Sequence, residues 1–173
     1  MICNIDIATL LRTKKFAEHW HGDQKYGELP YLSHLMDVYM LCENYNVTCK
    51  QLCLLHDVIE DTDANQEIVS KEFGNDMGRL VYLVSDEAGP NRKTRKEATN
   101  EKFTAIDPED IIEVYALIVK AADRLANMLK CQNNPSLMRM YIREFPAFNK
   151  AVYRSHICNE IWGKLHKLYD MYK

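Results

Sequence analysis

Three observations predict an all-α fold, built as one helical bundle. The 173 residues include only 6 Gly and 5 Pro, too few for the many turns of a small β protein. Apolar residues recur at three- and four-residue spacing, and no convincing strand pattern stands out. With 47% hydrophobic and 27% charged residues, the chain has the apolar content for a core and is not disordered. No repeat, low-complexity tract or linker divides it, so one domain over residues 1–173 is expected.

The helices follow in order. Ile5, Ala8, Leu11 and Phe16 begin an amphipathic pattern that runs to about Trp20, and Gly22 and Gly27 bracket a polar loop after it. Leu32, Leu35, Met36, Val38, Tyr39 and Leu41 mark a second helix. A third is expected over Cys49–Asp61 with Thr48 as its N-cap. Thr62-Asp63 should cap a short helix over Asn65–Phe73, which Gly74 stops, and Met77–Val84 forms the next. Residues Asp86–Asn100, carrying Gly89-Pro90-Asn91, read as a loop. Pro108 fits the first turn of a long helix reaching Lys130, which Asn133-Asn134-Pro135 ends. C-terminal helices occupy 135–173, the last over about Asn149–Tyr172.

Charge and composition narrow the function classes. A formal charge of −3 argues against a general nucleic-acid binder. No stretch of about 18 apolar residues exists, so no membrane span is expected. The N-terminus contains Asp6 and lacks a basic start before an apolar run, so no signal peptide is expected. Cys3, Cys42, Cys49, Cys53, Cys131 and Cys158 form no CxxC pair, and they read as reduced core thiols of a cytoplasmic protein.

Two helices carry polar groups where packing alone does not ask for them. In His56-Asp57-Val58-Ile59-Glu60-Asp61, the helical period gathers His56, Asp57, Glu60 and Asp61 on one stripe about 140° wide, with Leu52, Leu55, Val58 and Ile59 behind. Three carboxylates this close repel one another unless a cation offsets them, and a divalent metal is an economical one. A solvated acidic face that includes a histidine is the alternative. The long helix is apolar almost all round, as a buried helix is, yet Glu113, Lys120, Asp123 and Asn127 share one narrow sector. A buried carboxylate there needs metal or an ion pair, Lys120–Asp123 or Asp123–Arg124. His34, on an apolar helix, is either a further ligand or a satisfied core residue. His19 and His21 read as surface or helix-end residues.

The order His34, His56-Asp57, Asp123 resembles the signature of HD-domain metal-dependent phosphohydrolases. The segments HGDQKYGELPYLSH, CLLHDVIEDTD, EFGNDMGRLVYLVSD and VKAADRLANM resemble the hydrolase domain of RelA/SpoT-type enzymes and the small alarmone hydrolases, over about residues 14–130. This resemblance implies an HD-domain bundle with a buried mononuclear site, most often Mn²⁺, held by His34, His56, Asp57 and Asp123. It implies Glu60 and Asp61 as the catalytic carboxylates and Asn127 as a nucleotide contact. Arg95, Lys96, Tyr141 and Arg143 lie where relatives place substrate contacts. The implied reaction removes the 3′-diphosphate of guanosine tetra- or pentaphosphate, giving GDP or GTP and pyrophosphate. Expected partners are therefore a small nucleotide polyphosphate, with no nucleic-acid polymer and no membrane. A hydrolase domain without a synthetase half is expected. In place of the family's purine-stacking Arg, the chain reads Lys25-Tyr26, and Tyr26 is offered as the base-stacking ring. That change leaves room for another nucleotide, such as an adenosine alarmone or the 2′-phosphate of NADPH, or for a non-catalytic nucleotide sensor or antitoxin.

Overall fold

The structure is a computed structural model that describes residues 4–173, so Cys3 lies outside the described residues. The described elements are helical apart from one two-residue hairpin. They form two compact units, one ending at Ser85 and one running from Asp86 to Lys173.

In the first unit, α1 spans Asn4–His21. The loop expected after it is a hairpin of β1 (Lys25–Tyr26) and β2 (Leu29–Pro30), with Lys25 opposite Pro30 and Tyr26 opposite Leu29. Gly27 closes its two-residue turn at φ +64°, a backbone region that favours glycine. Two residues per strand are too few for an alternation that a sequence could display.

Helix α2 covers Leu32–Leu41, as expected. The expected third helix is two. Asn46, rather than Thr48, caps α3 (Val47–Leu55), its side chain accepting from the Cys49 N–H at 3.1 Å. The helix then breaks at His56-Asp57 and resumes as α4 (Val58–Asp61). Asp57 sits at φ −100°, ψ −3°, the sparsely populated bridge between helix and strand geometry that active-site residues often occupy.

Asn65, rather than Thr62-Asp63, caps α5 (Gln66–Phe73). The Thr62 hydroxyl instead donates back to the Val58 carbonyl at 2.6 Å. Helix α6 (Asn75–Val84) follows at once and packs closely on α5. A Cβ on Gly78 would lie 2.0 Å from Ser70 Oγ and 3.1 Å from the Gln66 carbonyl. Gly78→Ala is therefore expected to destabilise the fold by about 1–3 kcal/mol in urea unfolding. An unchanged midpoint would refute this close approach.

The second unit holds the largest departure from expectation. Residues 92–100, expected in a loop, belong to α7 (Arg92–Thr104), with the Asn91 side chain accepting from the Thr94 N–H at 3.1 Å. Helix α8 (Ile111–Lys130) is capped by Asp110, rather than beginning at Pro108. It is buried over Ala116–Ala122 except at its ends, where Ile111, Ile112 and Leu129 are exposed, so the all-round burial expected of it fails there. After a 3₁₀ turn at Cys131–Asn133, α9 runs Pro135–Val152 and α10 runs Asn159–Tyr172. The expected last helix is thus the end of α9, a break, and α10. Helix α9 contacts α7, α8 and α10, burying Phe145 and Phe148 beside Trp162. The described cysteines are free thiols, with Cys42, Cys49, Cys53 and Cys131 buried and Cys158 half-buried.

Candidate metal centre and anion pocket

In the first unit, His34 from α2 and His56-Asp57 from the break between α3 and α4 converge. All three are buried, and their ligand atoms lie within 4.8 Å of one another. His56 Nε2 is 3.0 Å and His34 Nε2 3.4 Å from Asp57 Oδ2, and the two nitrogens are 3.3 Å apart. The tautomer of His56 follows from its other nitrogen. Nδ1 is 2.8 Å from the Cys53 carbonyl, which can only accept, so Nδ1 carries the proton. In the neutral ring Nε2 is then the lone pair facing the cluster, the arrangement of a ligating imidazole with its far N–H held. Two imidazoles and a carboxylate converging in a buried site suit a borderline-to-hard divalent ion.

Asp61 joins this group through Tyr31. The Tyr31 hydroxyl donates to Asp57 Oδ2 at 2.7 Å and also meets Asp61 Oδ2. Partial burial, followed by the charge of Asp57, holds the Asp61 carboxyl above the usual range against the pull of Tyr31. Burial and the two carboxylates push the Tyr31 phenol upward, so it stays a donor at neutral pH. Glu60, on the same turn, is half-buried. Tyr26 is half-buried, and one face of its ring stacks on His34 with centroids 4.6 Å apart. Lys25 is exposed on the hairpin. His21, expected at the surface or at a helix end, is the last residue of α1 and is buried, stacking on Tyr31 at 4.3 Å.

In the second unit, Asp123 lies on the buried face of α8. Asn127 Nδ2 donates to its Oδ1 at 2.5 Å, and Lys120 Nζ lies 3.8 Å from its Oδ2. The Lys120–Asp123 ion pair weighed from sequence is formed. Lys120 also reaches Asp86 Oδ1 at 3.3 Å, and Lys96 pairs with Asp86 Oδ2. Glu113 is drawn away to the start of the helix, accepting from the Asp107 N–H at 3.2 Å.

Arg124 points elsewhere. Its guanidinium lies 4.9 Å from the Tyr141 ring centroid and 4.5 Å from that of Phe148, and it donates to Glu144 at 3.2 Å. Arg92 grips the same carboxylate with two bonds, at 2.7 and 3.1 Å. Burial raises the Tyr141 phenol to about 12.

A cavity of about 370 Å³ opens here. Five cations, Arg92, Lys93, Lys96, Arg124 and Arg143, line it against two carboxylates, Glu97 and Glu144. Lys96 and Arg143 both line this cavity, whereas Arg95 and Tyr141 stand outside the lining. The run Arg92-Lys93-Thr94-Arg95-Lys96, four basic residues in five, already marks Arg92 in the sequence, whereas nothing local marks Arg124 or Glu144 as lining residues.

Comparison with known proteins places this geometry in context. The HD domain family model matches residues 31–128, more than half of the chain. The guanosine-3′,5′-bis(diphosphate) 3′-pyrophosphohydrolase MESH1 of Mus musculus is 31% identical over 130 residues, covering 71% of this chain and 69% of its own length. A probable enzyme of the same description from Mycoplasma pneumoniae is 29% identical over 134 residues, and the chain spans only 18% of its length. The solved structure of a metazoan SpoT orthologue that hydrolyses ppGpp superposes with a TM-score of 0.81 at 24% identity, covering 95% of both chains. That last likeness bears on the fold.

Proposed function

Because the chain belongs to the HD-domain family, we propose that it is a metal-dependent alarmone hydrolase. The reaction proposed is removal of the 3′-diphosphate from guanosine tetra- or pentaphosphate, with release of pyrophosphate and GDP or GTP. The convergence of His34, His56 and Asp57 carries this reading, supported by the likeness to the mouse enzyme across most of both chains.

His34, His56 and Asp57 would hold a divalent ion, taken to be Mn²⁺, which when bound would supply a Lewis acid for a phosphoryl oxygen and lower the pKa of water. Asp123 is proposed as the remaining ligand on its motif and its place on α8. Glu60 and Asp61 orient the attacking water and accept its proton. Asn127, bonded to Asp123, contacts the nucleotide. The basic cavity supplies charge for the phosphates, with Lys96 and Arg143 as direct contacts and Arg95 and Tyr141 in supporting places. Lys25 and Tyr26 take the base end. A single HD domain over 1–173 acting in the cytoplasm is part of the same proposal.

The deciding experiment is a substrate panel with metal analysis. Mn²⁺-loaded protein is expected to release pyrophosphate and GDP from guanosine tetraphosphate, and Arg143→Ala is expected to raise KM more than it lowers kcat. Absence of turnover with metal bound would overturn the reading. Lys25-Tyr26, standing where an Arg is expected, supports a second reading in which the favoured base is not guanine. A higher kcat/KM for an adenosine alarmone or NADPH would establish it.

A further inference from the structure

Tyr31 precedes His34 by one helical turn and is 9% exposed. Its ring is held on several sides. His21 stacks on it with ring planes 8° apart, and the rings of Tyr26 and His34 meet it edge-on at 6.1 and 5.9 Å. The turn behind is tied down as well, since the Tyr31 N–H donates to the Gln24 carbonyl at 2.9 Å and His21 Nδ1 lies 2.7 Å from Gln24 Oε1.

The hydroxyl at the end of this fixed ring reaches two carboxylates. It donates at 2.7 Å to Asp57 Oδ2, the oxygen that faces both histidine nitrogens, and it meets Asp61 Oδ2 as well. The backbone already sets Asp57 and Asp61 one turn apart, with the Asp61 N–H bonded to the Asp57 carbonyl at 2.9 Å. Backbone placement does not by itself set the side-chain torsions of either carboxylate. A single rigid phenol contacting both ties one carboxylate to the other. Packing does not require the hydroxyl, because Phe would fill the same space without bringing a polar group out of water.

We infer that Tyr31 is a positioning residue of the hydrolytic site, whose hydroxyl fixes the Asp57 and Asp61 carboxylates relative to each other while His21 backs its ring. This inference rests on the proposed roles of Asp57 as ligand and Asp61 as catalytic carboxylate.

Tyr31→Phe tests it, because the ring remains and only the hydroxyl goes. Losses of about 10–100-fold are expected both in kcat and in Mn²⁺ affinity measured by chelator competition, the range typical of groups that orient metal ligands. KM and the melting temperature of the metal-free protein should stay unchanged. A cycle with Asp61→Asn adds a readout that a structural role would not move. If Tyr31 acts through Asp61, the double variant loses less kcat than the product of the two single losses. Parental kcat and Mn²⁺ affinity in Tyr31→Phe overturn the inference, as does a loss that only follows a lowered melting temperature. Should the parent protein hydrolyse no alarmone, the proposed function fails, and the Mn²⁺ competition still decides the role of Tyr31.

Discussion

Asp57→Asn is expected to abolish metal retention and phosphohydrolysis together, whereas Asp61→Asn is expected to keep the metal and lose about 10²–10⁴-fold in kcat. The contrast follows from position. Asp57 Oδ2 faces two imidazole nitrogens at 3.0 and 3.4 Å, so neutralising it takes away the charge that makes the cluster a cation site. The Asp61 side chain meets the cluster through the Tyr31 hydroxyl, and the two histidines and Asp57 remain in place without its charge. Elemental analysis after dialysis against a chelator reads the first half, and pyrophosphate release under saturating Mn²⁺ reads the second. A stoichiometric metal in Asp57→Asn with an undiminished rate would remove Asp57 from the site. Equal metal loss in both variants would show that Asp61 is itself a ligand.

The second large effect concerns stability. Asp86→Asn is expected to cost about 3–5 kcal/mol in urea unfolding, the penalty for stranding buried charge. Asp86 is almost wholly buried between Lys96 and Lys120, which are themselves largely buried. Burial drives the Asp86 carboxyl upward, but the combined pull of Lys120 and Lys96 outweighs it and leaves the group below its usual range. The sign for pH follows. A carboxylate depressed in the folded state stabilises the fold at every pH above its unfolded value near 4, and the gain disappears as pH falls through the folded value. Glu144 is depressed likewise, since Arg92 and Arg124 overcome its burial. The parent protein should therefore lose stability steeply on acidification below about pH 4, and Asp86→Asn should show a flatter profile. Parallel profiles, or a cost under about 1 kcal/mol, would mean that the pairs are solvated and weak.

The sequence made some parts of this molecule plain and hid others for physical reasons. Helix α8 was legible because twenty residues of periodic burial leave an unmistakable pattern, and Asp123 and Asn127 stood out as polar intrusions into it. His56, Asp57 and Asp61 were legible as neighbours, although the break at His56-Asp57 means that the stripe is not one regular helix. Helix α7 was not legible. It buries only Thr99 and Phe103, and what secures it is an Asn91 cap with ion pairs to residues as distant as Glu144. Local periodicity carries no trace of such partners. Tyr31 was hidden differently: an aromatic beside an apolar helix reads as core, and the two carboxylates its hydroxyl touches lie 26 and 30 positions away.

The carbonyl of Cys53, which fixes the His56 tautomer, has a consequence for how this site tolerates mutation. The orienting partner is main chain, so exchanging the Cys53 side chain for Ser, Ala or Val leaves the acceptor in place. The histidine's orientation is inherited with the helix that carries it, and only a change in backbone course at residues 53–56 could remove it.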